Sequence, residues 1–390
     1  MQVLKVNPLQ SKDLENLGLS WHTDLDNTPY VSDEVVEISE SEAQAYYDAA
    51  NELYDMFVEA GQYVIDNNLY FDLGIPFNLV EAIEKSWEEE VHWHLYGRFD
   101  LAGGLDGVPI KLLEFNADTP TMLYESAIIQ WALLKANGFD EALQFNNLYE
   151  ALKDNFKRVI TLGEDISRFD EFYEGWGILF SSIQGSDEEE KTTKLLETIA
   201  KEAGFRTKFC YAHEAVLNAE EGLNFEGENY EFWFKLIPWE SIAIDEPELA
   251  SLITSMINNK NTIFLNPAYT LLFQSKRILK ILWDLYPNHP LLLESAYKPL
   301  LNKKQVKKHC FGREGESVSI LDAKGNPLVK KEGAYSNFPE VYQEFASLNA
   351  YKDNFYQANI FYAYEACALG FRKGGEILDN MSKFVSHKIR

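Results

Sequence analysis

The sequence predicts a mixed fold of helices and strands, α+β with an α/β portion, and three observations support it. Residues 96–125 alternate polar and apolar side chains, as paired strands do. Residues 175–183 have the pattern of a buried strand, and the helical pattern that follows ends near Gly204. Residues 41–59 repeat apolar side chains at helical spacing. A strand followed by a helix indicates a parallel α/β unit in the middle of the chain.

The other elements follow in chain order. The helix over 41–59 is expected to begin with a capping box, because Ser41 and Gln44 have the required spacing. A second helix is predicted over 122–136, directly after the strand pair. The remaining elements are a strand over 229–238, a helix over 269–286 that Pro287 ends, and short strands and turns from residue 300 onward.

The strand pair carries a set of polar side chains that share one face. Arg98 and Asp100 lie two positions apart on the first strand, and Glu114 and Asn116 do the same on the second. Three oxygen ligands beside an arginine suggest a site for Mg²⁺ and phosphate. The alternative is a salt bridge between strands on a solvated face of the sheet. The spacing alone does not separate the two.

Composition excludes several classes of function. The formal net charge of −27 and a pI near 4.6 argue against nucleic acid or an anionic membrane as a partner, although they would attract a cationic amine. The three cysteines have no short spacing, so neither a disulfide framework nor a thiolate zinc site is expected. No apolar run approaches the about 18 residues of a membrane span. We therefore expect a soluble cytoplasmic protein.

A basic segment interrupts this acidic chain at residues 302–320. Four lysines precede Arg313, which lies between Gly312 and Gly315. Cations beside glycine amides are what a loop that binds nucleotide phosphates requires. The segment lacks the GxxxxGK(S/T) pattern of the ordinary phosphate loop, and a solvated basic surface loop is the alternative.

Six collinear segments together resemble one enzyme family. They are the RFD of residues 98–100, the EFNAD of 114–118, the segment 273–297, Lys308 with the GR of 312–313, the VYQE of 341–344 and the GFR of 370–372. This set is similar to the synthetase domain of glutathionylspermidine synthase and to the bacterial acid–amine ligases that resemble it. The resemblance covers about residues 90–390 and extends only to the synthetase domain.

The resemblance implies a permuted, ATP-grasp-like synthetase with a helical N-terminal extension and a mobile glycine-containing lid. Residues 1–95 would form the helical N-terminal part, and 96–260 the α/β region that binds metal and substrate. Residues 261–390 would bind the nucleotide, with the lid loop near 303–318. The implied activity is an ATP- and Mg²⁺-dependent carboxylate–amine ligase that forms an amide bond through an acyl phosphate.

The resemblance also implies roles for the charged residues. Asp100, Glu114 and Asn116 would hold two Mg²⁺ ions that bridge the ATP phosphates. Arg98 would stabilise the phosphoryl group in transfer, and Arg313 on the lid would hold the acyl phosphate. The ATP contacts would come from the following residues: Lys276, Lys308, Gln343 and Arg372.

Substrate residues are implied on two short segments. Thr119 and Thr121 occupy positions where the family has two serines near the acid, although threonines at such a turn also cap helices. Glu189 and Glu190, with Glu188 before them, resemble an acidic pair that meets the cationic amine. Acids in the first turn of a helix also compensate its dipole.

One departure from the family and two alternative functions complete the prediction. Leu236 replaces the first of two family threonines, which argues against glutathione as the acid, so the partners are expected to be a small or peptide-like acid and a cationic amine. One alternative function is a non-catalytic ATP-binding module on the same scaffold. Another is a glycoside hydrolase that uses two carboxylates in a cleft rich in aromatic residues, but this does not explain the basic segment.

Overall fold

The computed structural model describes residues 1–163 and 165–390. The α-helices are α1 (Ser11–Asn16), α2 (Glu40–Asp66), α3 (Tyr70–Leu73), α4 (Val80–Glu88), α5 (Gln130–Ala136), α6 (Leu148–Thr161), α7 (Phe169–Phe172), α8 (Asp187–Ala203), α9 (Trp239–Asp245), α10 (Pro247–Asn258), α11 (Thr270–Gln274) and α12 (Ile278–Leu285). A π-helical turn, Glu125–Ile129, precedes α5.

The strands in these residues form four sheets. They are β1 (Gln2–Lys5), β2 (Val31–Ile38), β3 (Gly97–Ala102), β4 (Lys111–Asn116), β5 (Gly177–Ser182), β6 (Arg206–Tyr211), β7 (Val216–Asn218), β8 (Gly222–Phe225), β9 (Glu228–Tyr230), β10 (Phe232–Lys235), β11 (Ile263–Leu265), β12 (Ser295–Ala296), β13 (Gln305–His309), β14 (Ser319–Leu321), β15 (Pro327–Lys330), β16 (Glu340–Glu344), β17 (Asn349–Tyr351), β18 (Asn354–Ala363), β19 (Glu365–Gly374) and β20 (Lys383–Ile389).

The largest sheet joins distant parts of the chain. Its order is β1-β2-β20-β19-β18-β3-β4, with β17 paired to β18, and every neighbouring pair except β2 and β20 is antiparallel. Residues 1–95 were expected to be helical, yet they contribute β1 and β2 to this sheet. The two strands form because β20, near the C-terminus, presents an edge that β2 pairs with.

The predicted parallel unit is present in a smaller sheet. Its order is β11-β10-β5-β6, with all neighbours parallel, and α8 connects β5 to β6. Helix α8 begins after Ser186, whose hydroxyl accepts from the Glu189 amide, and ends at Gly204 with φ +110°. The strand and helix predicted over 175–204 are therefore confirmed.

A third sheet, the basic sheet, carries the basic segment of residues 302–320. Its order is β12-β16-β13-β14-β15, and its pairs are antiparallel. The glycine-containing loop predicted to be a lid connects β13 to β14. The remaining sheet, β7-β8-β9, is a small antiparallel meander.

Two helix predictions were wrong in detail. The capping box of α2 uses Ser39 and Glu42, not Ser41 and Gln44. The helix predicted over 269–286 is divided into α11 and α12 at residues 275–277. The break occurs because the Ser275 hydroxyl and the residue 276 amide bond to distant carbonyl groups instead of continuing the helix.

The core under the strand pair is aromatic. The Phe99 and Phe115 rings stack across β3 and β4 with centroids 3.9 Å apart. Phe57 of α2 packs edge-on against both rings, and Phe273 of α11 lies at 27° to the Phe115 ring with centroids 6.3 Å apart. Because residues alternate between the faces of a strand, burying these rings turns the polar residues of both strands to the opposite face. Helices long and apolar enough to cross a membrane do not occur in the described residues.

Candidate active site

A cavity of about 530 Å³ lies where the large sheet, the basic sheet and the first turn of α8 meet. Among the predicted site residues, only Glu190 does not line it. The predicted residues that line it are Arg98, Asp100, Glu114, Asn116, Thr119, Thr121, Glu189, Lys276, Lys308, Arg313, Gln343 and Arg372.

Arg98 is held by hydrogen bonds to Asp100 on its own strand and to Thr121 in the turn after β4. Its Nε and Nη2 donate to the two oxygens of Asp100 at 2.7 and 3.0 Å, and Nη1 donates to the Thr121 carbonyl at 2.8 Å. Arg98 and Asp100 are 4% and 2% exposed, so the alternative of a solvated salt bridge between strands is wrong. Asp100 also accepts from the side-chain amides of Asn116 and Asn359, at 3.2 and 2.7 Å.

Glu114 pairs with a lysine from the break between α11 and α12. The Lys276 ammonium lies 2.9 Å from its Oε2 atom. Burial raises the pKa of Glu114, but Lys276 and Lys308 outweigh burial and lower the pKa to about 2. Glu114 is therefore ionised at neutral pH.

The oxygen donors of the strand pair fit Mg²⁺. Asp100 and Glu114 supply carboxylates and Asn116 an amide, and the buried Oδ1 of Asn359 has no hydrogen-bond donor among the described residues. Groups of three or more histidine, cysteine or acidic side chains able to bind a metal alone do not occur in that part of the chain. This composition suits Mg²⁺ better than a metal held only by protein, because Mg²⁺ is usually bound by one or two carboxylates together with substrate phosphates.

Lys308 and Gln343 connect the basic sheet to β4. The Lys308 ammonium donates to the Leu113 carbonyl and to Gln343 Oε1, both at 2.9 Å, and Gln343 donates to the Leu112 carbonyl at 3.0 Å. Burial lowers the pKa of Lys308 to about 8, although Glu114 opposes this. Apolar residues line the cavity beside this pair: Leu113, Val306, Val318 and Ile320.

The loop after β13 brings Arg313 into the cavity. Arg313 Nη2 donates to Glu240 Oε1 at 2.6 Å, and Nη1 donates to Thr119 Oγ1 at 3.1 Å. Gly315 has φ +69°, and a side chain there would collide with the Leu378 carbonyl, so only glycine fits. Sequence reasoning did not identify Glu240 as a site residue, because 73 positions separate it from Arg313 and no local period pairs them.

The acids of α8 divide between two environments. Glu188 and Glu189 line the cavity, whereas the Glu190 carboxylate accepts from Tyr211 at 2.8 Å and pairs with Lys194. Glu190, predicted with Glu189 as a substrate residue, is therefore not among the residues that line the cavity. Successive helical residues point about 100° apart, so three in a row cannot face one cavity.

Glu188 has a strongly perturbed environment. Burial, with added repulsion from Glu125, Glu314 and Glu189, raises its pKa to about 8. Glu125 is a buried acid that the sequence prediction missed, and it accepts from the Trp21 indole at 3.0 Å. Its signal in the sequence is weak, since it lies inside a helical segment.

Arg372 lies on this acidic side of the cavity. Burial and neighbouring acids raise the pKa of both Glu188 and Tyr30, and the positive charge of Arg372 partly opposes each rise. Its guanidinium donates to the Asp379 carbonyl. Arg372, predicted as a phosphate contact, therefore has an electrostatic partner in Glu188 of α8.

Comparison with known proteins identifies the family. The family model for the glutathionylspermidine synthase preATP-grasp matches residues 1–390. The chain is 29% identical over 399 residues to a Haemophilus influenzae protein provisionally named an acid–amine ligase, covering 97% of this chain and 96% of that protein. It is 25% identical over 338 residues to the bifunctional glutathionylspermidine synthetase/amidase of Escherichia coli K12, covering 79% of this chain and 51% of the relative. The chain thus spans about half the length of that bifunctional relative.

A solved structure supports the fold. The glutathione synthetase-like effector of Globodera pallida superposes with a TM-score of 0.59 at 9% identity, covering 97% of this chain and 96% of that one. At this identity the likeness concerns the fold alone. The match to the family model, by contrast, extends over the whole sequence. The chain therefore belongs to the glutathionylspermidine synthase preATP-grasp family.

Proposed function

We propose that this chain is an ATP-dependent ligase that joins a carboxylic acid to an amine. The observation that carries the proposal is the cavity in which Arg98, Lys276, Lys308 and Arg313 meet the ionised carboxylate of Glu114. Cations beside oxygen donors for Mg²⁺ are what ATP phosphates require. The names of its relatives describe ligases of this kind, and family membership supports the same reaction here.

The nucleotide would lie between the large sheet and the basic sheet, as in an ATP-grasp fold. Lys276 and Lys308 would neutralise its phosphates, because both ammonium groups face the cavity and both are near Glu114. The apolar residues around Leu113 and Ile320 offer a surface for the adenine ring, and Gln343 lies beside them. In this arrangement residues 1–95, 96–260 and 261–390 are the N-terminal, substrate and nucleotide regions.

The metal ligands would be Asp100, Glu114 and Asn116, which we expect to hold two Mg²⁺ ions. Bound Mg²⁺ neutralises charge on the phosphates and makes the γ-phosphorus easier to attack. Arg98 and Lys276 currently neutralise the same two carboxylates. With Mg²⁺ bound to these carboxylates, the Arg98 guanidinium and the Lys276 ammonium would be available to bind phosphate oxygens.

The acid would react first. Its carboxylate oxygen attacks the γ-phosphorus, and the bond between that phosphorus and the oxygen it shares with the β-phosphate breaks. ADP departs with that oxygen, and the acid has become an acyl phosphate. Arg98 and Arg313 would stabilise the charge on the transferred group. Arg98 donates to the Thr121 hydroxyl at 3.3 Å, and Arg313 donates to the Thr119 hydroxyl at 3.1 Å. The two threonines are thus suited to hold the acid between the two cations.

The amine would react second. Its nitrogen attacks the acyl carbon in the unprotonated form, inorganic phosphate leaves with the bonding electrons, and the nitrogen gives up a proton to solvent to form the amide. Glu189 would attract the cationic amine, since it lines the cavity, and Glu188 lines the cavity beside it. Leu236 lines the cavity as well and gives the acid an apolar neighbour where the family supplies a hydroxyl. We therefore propose an acid other than glutathione.

The test is phosphate release from ATP in the presence of Mg²⁺ with pooled carboxylates and polyamines. The proposal expects release that depends on the amine, and a product whose mass equals acid plus amine minus water. The Glu114→Gln variant should be inactive. Absence of ATP binding in calorimetry with Mg²⁺ would contradict the ligase. ATP binding without turnover for any pool would also contradict it and would favour the non-catalytic ATP-binding module.

A further inference from the structure

The guanidinium of Arg313 is only partly used by the protein. One N–H of Nη2 goes to Glu240 and one of Nη1 goes to Thr119. Within residues 1–163 and 165–390, its other three N–H donors have no hydrogen-bond acceptor in the protein, while the side chain lines the cavity. Arg313 is thus held at one edge and presents the rest of its donors for a substrate anion.

Glu240 is well placed to hold Arg313 because its own segment is fixed. It lies in the first turn of α9, directly after Trp239, whose backbone amide donates to Asp118 Oδ2 at 2.9 Å. The Trp239 indole donates to the Asn266 carbonyl at 3.1 Å, and the ring is fully buried. The backbone that carries the Glu240 side chain is therefore fixed by the hydrogen bonds of Trp239.

Electrostatics favour a docked Arg313. Lys235 lies 3.6 Å from Asp118 and 3.9 Å from the Trp239 ring, and both members of this ion pair are fully buried. The formal charges of Asp118, Lys235, Glu240 and Arg313 sum to zero. Without Arg313 the buried group would carry one unpaired negative charge, and Oε2 of Glu240 has no donor among the described residues even with Arg313 in place. An unpaired buried carboxylate is strongly unfavourable, so the cluster draws the arginine in.

The loop also needs such an attraction. Glu314 and Ser317 have φ of +53° and +55°, a conformation that costs free energy in residues with a side chain. The ion pair with Glu240 is made by Arg313, the residue directly before Glu314, and it offsets this cost. The conformation of residues 311–318 thus depends on a contact outside the loop.

We propose that Glu240 is a positioning residue that latches the loop of residues 311–318 by its ion pair with Arg313, so that this arginine is oriented before the acid binds. The latch itself follows from the contacts, and its value for catalysis rests on the proposed function. Glu240 acts through Arg313 and does not touch the reacting atoms.

The first experiment measures amide hydrogen exchange in Glu240→Gln, which keeps the shape but removes the charge. Exchange in residues 311–318 should accelerate by about tenfold or more, while β13 stays protected. Glu332→Gln is the matched control, because its carboxylate is 82% exposed and pairs with Lys330 on the surface. Unchanged exchange in the loop overturns the proposal. If Glu240→Gln does not fold, Arg313→Gln removes the same ion pair from the exposed end and must give the same result.

The second experiment asks whether the latch serves the reaction. Glu240→Gln should lower kcat by about 10- to 100-fold and leave the KM for ATP within about twofold of the wild type. In a protein that already carries Arg313→Lys, adding Glu240→Gln should lower kcat by less than about a further threefold. Additive losses overturn the positioning role. Hydrogen exchange needs no turnover, so the two proposals can fail separately. If the wild type has no ligase activity but the loop of Glu240→Gln exchanges faster, the proposed function is wrong and the latch stands.

Discussion

Lys276 lies 2.9 Å from Glu114 in the cavity, and this lysine stands at the point where a predicted helix is interrupted. The break lets the residue 276 amide donate to the Cys310 carbonyl, directly before the loop that carries Arg313. One local irregularity thus joins the strand pair to the basic sheet.

The ion pair predicts the behaviour of Glu114→Gln. Amine-dependent phosphate release should fall by at least about 100-fold, because a metal ligand and the partner of Lys276 are lost together. Leaving Lys276 buried without a charge partner should lower the unfolding free energy by about 1–3 kcal/mol. Glu52→Gln is the control, since its carboxylate is 57% exposed. Retained activity with a normal melting temperature would contradict the assignment.

Neighbouring lysines on β13 provide a matched pair. Lys308→Met should weaken ATP binding by about 10- to 100-fold, because it removes a buried cation that faces the cavity. Lys307→Met should leave ATP affinity within about twofold, since Lys307 pairs with Glu340 at 2.6 Å and does not line the cavity. Calorimetric titration with ATP and Mg²⁺ measures both. Equal losses in the two variants would argue against a specific role for Lys308.

Adjacent acids on α8 should differ in the same way. Glu189→Gln should raise the KM for a cationic amine by about 3- to 10-fold, since its carboxylate lines the cavity. Glu190→Gln should not, because Lys194 and Tyr211 already occupy that carboxylate. Steady-state kinetics at saturating ATP give the comparison. A larger effect at Glu190 would show that the amine binds elsewhere.

The raised pKa of Glu188 predicts how stability depends on pH. The carboxyl has an ordinary pKa of 4.5 and a pKa of about 8 in the fold. Between these values the unfolded chain loses the proton and the folded protein keeps it, so this group lowers stability as pH rises. As pH rises from 4.5 to 8, the free energy of unfolding of Glu188→Gln should therefore increase by about 1–3 kcal/mol relative to that of the wild type, after discounting for solvent screening. Urea denaturation across this range gives the difference, and a constant one would contradict the shift.

The aromatic pair under the site predicts a packing effect. Phe115→Ala should lower the unfolding free energy by about 3–5 kcal/mol, because it leaves a cavity against the stacked Phe99 ring. Phe71→Ala should change it by less than about 0.5 kcal/mol, since Phe71 is 90% exposed. Chemical denaturation of both variants checks this. A small loss at Phe115 would mean that the core closes over the gap.

Part of the site could be read from local spacing. The alternation around Asp100 and Glu114 predicted a shared polar face, and burial of Phe99 and Phe115 is the physical reason that it forms. The cluster of lysines and glycines near Arg313 likewise marked the loop. Such patterns are visible because strand and helix periods act over a few residues.

Other parts could not be predicted because they depend on contacts between distant segments. Nothing near Ser39 shows that it, and not Ser41, caps α2, and nothing near Glu190 shows that Tyr211 takes its carboxylate. The strands β1 and β2 form only because β20 offers them an edge. Long-range pairing of this kind has no local signal in the sequence.

The sequence by itself determined the family, the element types in the middle of the chain and the residues that carry charge. The tertiary structure decided which of those charges meet. Arg98 lies with Asp100, Lys276 with Glu114, and Arg313 with Glu240, and only the first pair is close in sequence. The reason is physical: a side chain's protonation and partners depend on burial and on charges a few ångströms away, and folding alone brings those charges together.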